Sequence, residues 1–233
     1  MPAERFFASE VFIPGKTLLL DEKESHHLLH AMRGKVGETV ELINGFGTLA
    51  EAVILEPQKK QAKLQIRTTT HTPPPDVEII LAQAIPRANR LDFIVEKGTE
   101  LGMTQLWLFP GQMGERITLT DHQLERYRLL AISAVKQSGR MYIPQISLHP
   151  ALEQWPATPY QELFGDLDPK APKCGEVIER GSTGILFYIG PESGFSEKEL
   201  AILQKRKATG VKLHSNTLRS DTAALAALLL CNN

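Results

Sequence analysis

The segment FYIGPESGFSEKEL, residues Phe187–Leu200, contains the residue types of a ligand-binding turn. Its apolar run ends at Gly190, and Gly190 and Gly194 allow the backbone to approach a ligand closely or to adopt a positive φ. Pro191 fixes one φ angle between these glycines. In an open parallel sheet, ligands bind beyond the carboxyl ends of the strands, where such a turn would lie. The segment therefore predicts either a binding site or an ordinary strand-to-helix turn.

The helix after this turn begins with a capping-box pattern, because Glu199 follows Ser196 by three residues. A capping box satisfies the free N–H groups of a helix with protein atoms, so fewer of them remain for a phosphate. The chain also contains no GxGxxG and no GxxxxGK[ST] pattern. The sequence therefore supports neither a dinucleotide-binding fold nor a P-loop enzyme.

A second polar loop lies in the segment LHSNTLRSDTAALAALLL, residues Leu213–Leu230. The segment ends a short strand, passes through polar residues around Arg219 and enters a nearly all-apolar helix, which must be buried on most sides. A guanidinium is expensive to desolvate, so one placed here should have a defined role. The pattern predicts a desolvated Arg219 that serves either catalysis or the support of the loop.

A cluster of histidines lies in EKESHHLLHAMRG, where the apolar spacing predicts a short helix ending at Gly34. His26 and His30 have the i, i+4 spacing of helical metal ligands, but no acidic or cysteine partner follows at a characteristic distance. The sequence therefore predicts no metal site. His27 and Arg33 on the same helix would suit either phosphate contact or plain surface exposure.

Composition narrows the class of protein. The formal net charge is -1, so a nucleic-acid partner requires a local basic patch. Cys174 and Cys231 are the two cysteines, and their separation argues against a disulfide framework or a structural zinc site. The amino terminus lacks the apolar stretch of a signal peptide, and no segment is long and apolar enough to span a membrane. We therefore expect a cytoplasmic protein with no membrane partner.

The elements that must position these loops form two groups. Residues 1–72 are rich in short strand patterns separated by turn residues, which predicts a small β-domain. The proline-rich segment HTPPPD then predicts a stiff connector. Residues 73–233 alternate strands with helices, which predicts an α/β domain with a mainly parallel sheet covered on both faces. The segment 150–182 gives the weakest secondary-structure pattern of the chain.

Several motifs together resemble a known family. They are RFF, HHLLHAMR, PRANRLDFIVEKGTELGM, FP followed by ER, KQSGR, IGPESGFSEKE and LRSDTAALA. In this order and spacing, they are similar to the bacterial 16S ribosomal RNA methyltransferases that methylate uridine at N3, in the SPOUT superfamily. The resemblance implies an N-terminal PUA-like β-barrel that binds RNA, a C-terminal α/β domain tied in a trefoil knot, and a homodimer.

The resemblance also implies S-adenosylmethionine as cofactor and 16S ribosomal RNA or the 30S subunit as partner. The opening turn and the loop before Arg219 would enclose the cofactor, with the end of a third strand completing the wall. The implied cofactor-binding residues are Phe109, Pro110, Gly190, Pro191, Glu192, Gly194, Leu213, Leu218 and Thr222.

Other motif positions are implied near the reacting base or the RNA. The implied catalytic residues are Arg219, Glu100 and Arg140. Glu100 is also three residues from Lys97, the spacing of a surface ion pair. The implied RNA-binding residues are Arg5, His27, Arg33, Arg87, Arg90 and Arg116. Arg87 and Arg90 flank a helix start, which disfavours cations unless an anion is bound.

Some positions depart from the family pattern. His214 replaces a glycine, so its Cβ is expected to crowd the cofactor, and Asn216 replaces an arginine, which removes a positive charge. Ser193 also replaces a glycine. These departures leave open a catalytically weakened RNA-binding or ribosome-assembly protein of the same fold. A transfer RNA methyltransferase is a further alternative.

Overall fold

The chain forms two compact units. The computed structural model describes residues 5–57, 61–114, 118–179 and 181–232. The first unit comprises Met1–Pro74 together with Ile132–Ile143, and the second comprises Pro75–Ala131 together with Pro144–Asn233. The last part of one long helix thus belongs to the first unit.

The first unit is built on a five-stranded sheet that curls as half of a barrel. Its strands are β1 Arg5–Phe7, β2 Thr17–Leu19, β3 Thr39–Ile43, β4 Thr48–Pro57 and β5 Ala62–His71. The spatial order is β1-β3-β4-β5-β2, with β1 parallel to β3 and the other pairs antiparallel. Register shifts between β4 and β5 after Glu51 and Ile54 bend the sheet. Alternate residues such as Phe6, Leu42 and Leu64 form its core.

A short helical segment follows β2, as the apolar spacing predicted. It consists of α1, Glu22–His26, and a π-helical turn, His27–Ala31. The predicted end at Gly34 is too late, because Arg33 already adopts a left-handed conformation with φ of 58°.

A buried ion pair ties the returning helical segment to α1 within the first unit. Lys136 Nζ lies 2.7 Å and 2.8 Å from the two carboxylate oxygens of Glu24, and both side chains are largely buried. Glu24 Oε2 also accepts a hydrogen bond from the Phe7 N–H. The buried carboxylate is therefore compensated by both a cation and a backbone donor.

The second unit contains a six-stranded, all-parallel sheet, which confirms the predicted α/β class. Its strands are β6 Glu78–Ala84, β7 Gln105–Phe109, β8 Gln145–Leu148, β9 Gln161–Gly165, β10 Gly184–Ile189 and β11 Thr209–Val211. Their order is β11-β9-β10-β6-β7-β8. The sequence did not predict β8 or β9. The trefoil knot stays a prediction.

Helices connect and cover these strands. They are α2 Ala88–Glu100, α3 Asp121–Ser138, the short α4 Cys174–Val177, α5 Glu197–Lys205 and α6 Ser220–Cys231. Gly102 takes a φ of 97° after α2, as expected of a glycine that closes a helix. Within the described ranges, no helix has both the length and the apolar character needed to cross a membrane.

The hydroxyl of Ser220 joins three distant segments of the second unit. Its Oγ accepts a hydrogen bond of 3.1 Å from Gln83 Nε2 at the end of β6. It also donates one of 3.0 Å to the carbonyl oxygen of Gly190, just after β10. Because Ser220 is the first residue of α6, the hydroxyl fixes the start of that helix against two strand ends.

We expect Ser220→Ala to lower the free energy of unfolding by about 1–3 kcal/mol, because it leaves a buried amide and a carbonyl without this partner. Ser220→Thr keeps the hydroxyl and is the matched control, with a smaller expected loss. Urea unfolding of the two variants, followed by far-ultraviolet circular dichroism, measures the difference. Equal stability of the alanine and threonine variants would contradict the role assigned to the hydroxyl.

Candidate functional site

Three loops of the second unit line one cavity at the carboxyl ends of three neighbouring strands. Strands β11, β9 and β10 are adjacent in the sheet, and a cavity of about 590 Å³ lies beyond their carboxyl ends. Its wall includes residues 164–167 at the end of β9 and just beyond it, residues 190–195 after β10, and residues 213, 214 and 216–219 after β11. A cavity of this size has the volume of a cofactor site.

The turn after β10 is tightly folded. The N–H of Gly194 donates a hydrogen bond of 2.9 Å to the carbonyl oxygen of Pro191, and Gly194 has a φ of 82°. A Cβ on Gly190 would lie 3.2 Å from backbone atoms of Gly194 and Phe195. Ser193 has no positive φ, so replacement of a glycine there adds no backbone strain.

The predicted capping box at the start of α5 is confirmed. Ser196 Oγ accepts from the Glu199 N–H, and Glu199 Oε2 accepts from the Ser196 N–H. Glu199 is 1% exposed, and its other oxygen accepts a hydrogen bond of 3.0 Å from the Gln112 N–H. This buried carboxylate therefore fixes the loop after β7 to the start of α5. It also leaves fewer N–H groups at this helix terminus for an anion, as expected.

Arg90 and Glu192 form an ion pair on the cavity wall. Arg90 Nη1 lies 2.7 Å from Glu192 Oε1, and both side chains are half-buried. The arginine was predicted to contact RNA and the glutamate to contact the cofactor. The structure brings them together, so each compensates the charge of the other.

The loop after β11 contains both replacements that the sequence singled out. His214 is exposed, and its Nδ1 accepts a hydrogen bond of 3.0 Å from the N–H of Asn216. Both residues line the cavity, and neither has a positive φ. The loop thus accommodates a side chain at position 214 without backbone strain.

Arg219 lines the cavity and pairs with Asp221. Its Nε and Nη2 donate to the two carboxylate oxygens of Asp221 at 3.2 Å and 2.6 Å. The Arg219 side chain is 66% exposed, whereas that of Asp221 is 9% exposed. The prediction that Arg219 is desolvated is therefore wrong for the single chain. The guanidinium projects outward from the start of the helix and is not packed beneath it.

A buried polar network supports the cavity from below. Tyr188 lines the cavity and donates its hydroxyl hydrogen to Glu162 Oε2 at 2.8 Å. Arg206 donates to both oxygens of the same carboxylate. Burial, and then the charge of Glu162, raise the pKa of the Tyr188 phenol above its ordinary value. Tyr188 therefore stays protonated and serves as structure instead of as a base.

Most of the predicted cofactor-binding residues line this cavity. Those on its wall are Gly190, Pro191, Glu192, Gly194, Leu213 and Leu218. Those that do not line it are Phe109, Pro110 and Thr222. The segment after β7 is nonetheless close, since a Cβ on Gly111 would lie 3.2 Å from the ring of Pro191.

The three predicted catalytic residues are not brought together within this cavity. Arg219 lines it, whereas Glu100 does not and instead pairs with Lys97 at 2.8 Å near the end of α2. Arg140 belongs to the segment 132–143 of the first unit. Burial lowers the pKa of the Arg140 guanidinium from its ordinary value.

The predicted RNA-binding residues have varied surroundings. Arg5 is mostly buried and bonds Glu41 at 2.8 Å, so its charge is already compensated. His27 and Arg33 are exposed on the first unit, and Arg87 is exposed at the start of α2. Arg116 lies outside the described residues.

The histidine pair on the first unit shows ring contact. The rings of His26 and His30 have centroids 4.7 Å apart. The described residues contain no group of three or more side chains that could together hold a metal ion.

The sequence missed the part of the wall formed by the last two residues of β9 and the two residues after them. Phe164, Gly165, Asp166 and Leu167 all line the cavity. Their segment, QELFGDLDPK, mixes polar and apolar residues and gave no clear strand pattern. The glycine and aspartate after its two central apolar residues were the available signal, because they mark a polar strand end.

Comparison with known proteins supports the same organisation. A family model described as an RNA methyltransferase domain matches residues 73–232. A model described as an RNA methyltransferase PUA domain matches residues 20–67. The two models together cover most of both units.

Individual relatives align over nearly the whole chain. The ribosomal RNA small subunit methyltransferase E of Mycobacterium bovis is 24% identical, covering 98% of this chain and 90% of the relative. A structure of the enzyme of that name from Neisseria gonorrhoeae, bound to S-adenosyl methionine, has a TM-score of 0.87 and 29% identity, covering 97% and 95% of the two chains.

The fold likeness extends further. A putative methyltransferase from Legionella pneumophila, in complex with the same cofactor, has a TM-score of 0.89 at 24% identity, covering 99% and 97% of the two chains. Because the RNA methyltransferase domain model matches residues 73–232, well over half of the sequence, this chain belongs to the RNA methyltransferase family.

Proposed function

We propose that this protein transfers a methyl group from S-adenosylmethionine to N3 of a uridine in 16S ribosomal RNA. The observation that carries the proposal is the cavity at the carboxyl ends of β9, β10 and β11, within a chain of the RNA methyltransferase family. The Neisseria gonorrhoeae relative, named as a small-subunit ribosomal RNA methyltransferase and bound to this cofactor, supports the choice of substrate and donor. The protein would act in the cytoplasm, where small subunits are assembled.

The cavity residues fit this cofactor. Leu213, Leu218 and Phe164 provide apolar surface for a flat purine, and glycine at position 190 allows the turn beside them to fold tightly. The Arg90–Glu192 pair offers one group of each charge to an amino-acid zwitterion. Exposed His214 bonds its own loop, so it does not need to crowd the ligand.

When bound, S-adenosylmethionine supplies a methyl group that is already electrophilic because it is attached to a sulfonium. The residues of this chain therefore mainly have to align an attacking nitrogen, which is worth several kcal/mol of the barrier in well-oriented systems. The turn Pro191–Gly194 and the start of α6 are both fixed by hydrogen bonds, so they can hold that alignment.

N3 lies on the Watson–Crick edge of uracil, so the target base must be unpaired when it reacts. Loss of the N3 proton places negative charge on the ring. Arg219 is the cation on the cavity wall that is exposed enough to approach it, and we assign it the stabilisation of that charge. Glu100 and Arg140 remain proposed catalytic residues, and no residue is assigned as the general base.

The first unit would hold the RNA. His27 and Arg33 are exposed on or next to its helical segment, where they can contact phosphates, and we retain Arg87 on the second unit for the same role. Arg5 is a supporting residue in this scheme, because Glu41 already binds its guanidinium. Such contacts position the RNA without reading its sequence.

We also propose a homodimer that packs through α6. This helix buries Ala224, Ala227 and Leu228 in its own chain, yet Leu229 is 51% exposed on another side. An apolar helix with surface left over suits a symmetric helix-to-helix interface.

The wild-type protein is expected to produce 3-methyluridine in unmodified 30S subunits or 16S RNA, and Arg219→Lys is expected to reduce turnover by ~10²-fold. Lysine keeps the charge but loses the two-nitrogen fork that Asp221 orients. Arg128→Lys is the matched control, because its side chain is also 66% exposed and paired with a glutamate.

Mass spectrometry of the digested RNA, with transfer RNA as a parallel substrate, separates the alternatives. Product in transfer RNA alone would make the protein a transfer RNA methyltransferase. RNA binding without product in either pool would favour an assembly protein of this fold. Normal turnover of Arg219→Lys would remove Arg219 from the proposed charge-stabilising role.

Arg33→Ala is expected to weaken RNA binding and leave cofactor affinity unchanged. If Arg33 makes one phosphate contact, the slope of log affinity against log salt should fall by about one unit. Lys35→Ala, a nearby exposed position on the same unit, is the control. An unchanged slope for Arg33→Ala would show that this residue makes no phosphate contact.

Leu229→Lys is expected to shift the protein from dimer to monomer in light scattering at micromolar concentration, because it places a charge in an apolar contact. Leu148→Lys, at another partly exposed leucine in β8, should leave the mass unchanged. A wild-type mass near 26 kDa with full activity would rule out the required dimer.

A further inference from the structure

Asp166 is the first residue after β9 and lies on the cavity wall. Its N–H donates to the Val211 carbonyl oxygen at 2.9 Å, which fixes its backbone beside β11. Its Oδ1 accepts a hydrogen bond of 2.9 Å from the Asp168 N–H. Oδ2 lies next to Gly210, where an added Cβ would come within 2.5 Å of it. Glycine at 210 therefore leaves the room that this carboxylate occupies.

The charge of Asp166 is not compensated in the way that the other cavity charges are. Among the residues that the structure describes, no cation forms an ion pair with Asp166, and no donor bonds its Oδ2. Glu192 is the other acidic residue on the wall, and it is bound by Arg90. Asp166 thus presents an acceptor-only group, with one oxygen available, to whatever fills the cavity.

The strand order separates Asp166 from Arg90, the cation of the Arg90–Glu192 pair, whereas Glu192 follows β10. Asp166 follows β9, whereas Arg90 follows β6, and β10 lies between these strands. Neighbouring strands are about 4.8 Å apart, so the two strand ends are separated by about 10 Å. An elongated ligand across β10 would therefore meet Asp166 and the ion pair with different parts.

We propose that the Asp166 carboxylate accepts hydrogen bonds from the ribose hydroxyls of the bound cofactor. This inference rests on the proposed function, since it concerns the same cavity. It places the nucleoside above β9 and β11 and the amino-acid end beside the Arg90–Glu192 pair. The ion pair suits a zwitterion, and apolar Leu213, which follows β11, suits the purine.

The chemistry of the carboxylate favours ribose over the purine. Two neighbouring hydroxyls can both donate, whereas a purine edge alternates donors with acceptors that would face a negative charge. Acidic residues near strand ends hold ribose hydroxyls in dinucleotide-binding folds for the same physical reason. The α-ammonium of the amino-acid end is the remaining donor, and the experiment below distinguishes it.

The variant Asp166→Asn is suited to the test, because an asparagine oxygen can still accept from the Asp168 N–H and preserve the turn. Asp168→Asn is the matched control, since Asp168 is exposed, outside the cavity wall and likewise bonded to a backbone N–H, that of Lys170. Calorimetric titration would use S-adenosylhomocysteine, 5′-methylthioadenosine, which lacks the amino-acid end, and the 2′-deoxy and 3′-deoxy forms of the latter.

Asp166→Asn is expected to lower the affinity for S-adenosylhomocysteine and for 5′-methylthioadenosine equally, by about 10-fold or more. This is the scale of a hydrogen bond to a charged group. Asp168→Asn should bind both as the wild type does. The wild type should also bind at least one deoxy form more weakly than the parent, and Asp166→Asn should lose that preference. The four affinities of the wild type and Asp166→Asn for the parent ligand and its deoxy form make a double-mutant cycle, which isolates the contact between the carboxylate and the hydroxyl.

Four results would overturn the inference. A loss confined to S-adenosylhomocysteine would assign Asp166 to the ammonium, and equal losses with an unchanged preference for the ribose hydroxyls would assign it to the purine. Unchanged binding by Asp166→Asn would remove it from the site while leaving the proposed function intact. If the wild-type protein bound none of these ligands at millimolar concentration, the proposed cofactor itself would be wrong.

Discussion

The hydrogen bonds of one serine hydroxyl hold the candidate site together. Ser220 bonds Gln83, 137 residues earlier in the chain, and the carbonyl oxygen of Gly190, 30 residues earlier. These bonds fix the turn after β10, the end of β6 and the first turn of α6 in one place. The loop between β11 and α6 is consequently anchored at its α6 end, and its residues line the cavity beside those that follow β9 and β10. A buried hydroxyl with both a donor and an acceptor partner loses little on desolvation, so this junction is inexpensive to bury.

Other buried polar groups around the cavity also bond protein atoms and position the backbone, while a few exposed groups remain available to a ligand. Glu199 is buried and bonds the loop after β7, while Glu162 is buried and bonds Tyr188 and Arg206. These carboxylates have their hydrogen-bonding capacity used within the protein, so they position backbone instead of facing a ligand. Groups that remain available are held by other partners: the Asp166 N–H bonds the Val211 carbonyl oxygen, and Arg219 bonds Asp221. A site with this arrangement loses little conformational entropy when its ligand binds.

Prediction from the sequence succeeded where a local pattern was sufficient. Period-two and helical periodicity, capping residues and glycine positions identified the elements before and after both loops, and the capping box at Ser196 followed from two residues. Strand β9 was missed because its five residues, QELFG, show no period-two alternation: two polar residues, one of them Glu162 of the buried network, precede two buried apolar residues. The pairing of Arg90 with Glu192 joins residues 102 positions apart, which no local spacing can reveal. Arg219 was expected to be desolvated because its helix is apolar, yet it is the N-cap residue of α6, and the side chain of a residue before the first turn can project outward whichever face of the helix is buried.

Pairing with Asp221 changes what Arg219 can do in the cavity. The carboxylate reduces the net charge of the site, but it uses Nε and Nη2 and so restricts the direction of the planar guanidinium. No described residue bonds Nη1, so one edge of the group remains for a ligand while the other is fixed. Asp221 is itself almost buried and also accepts from the Thr222 N–H, which limits its own movement. An oriented donor stabilises developing charge more effectively than a mobile one, because less reorganisation is needed as the charge forms. The exposure of Arg219 is thus compatible with a directed role, since its direction is set by the buried partner and not by burial of the arginine.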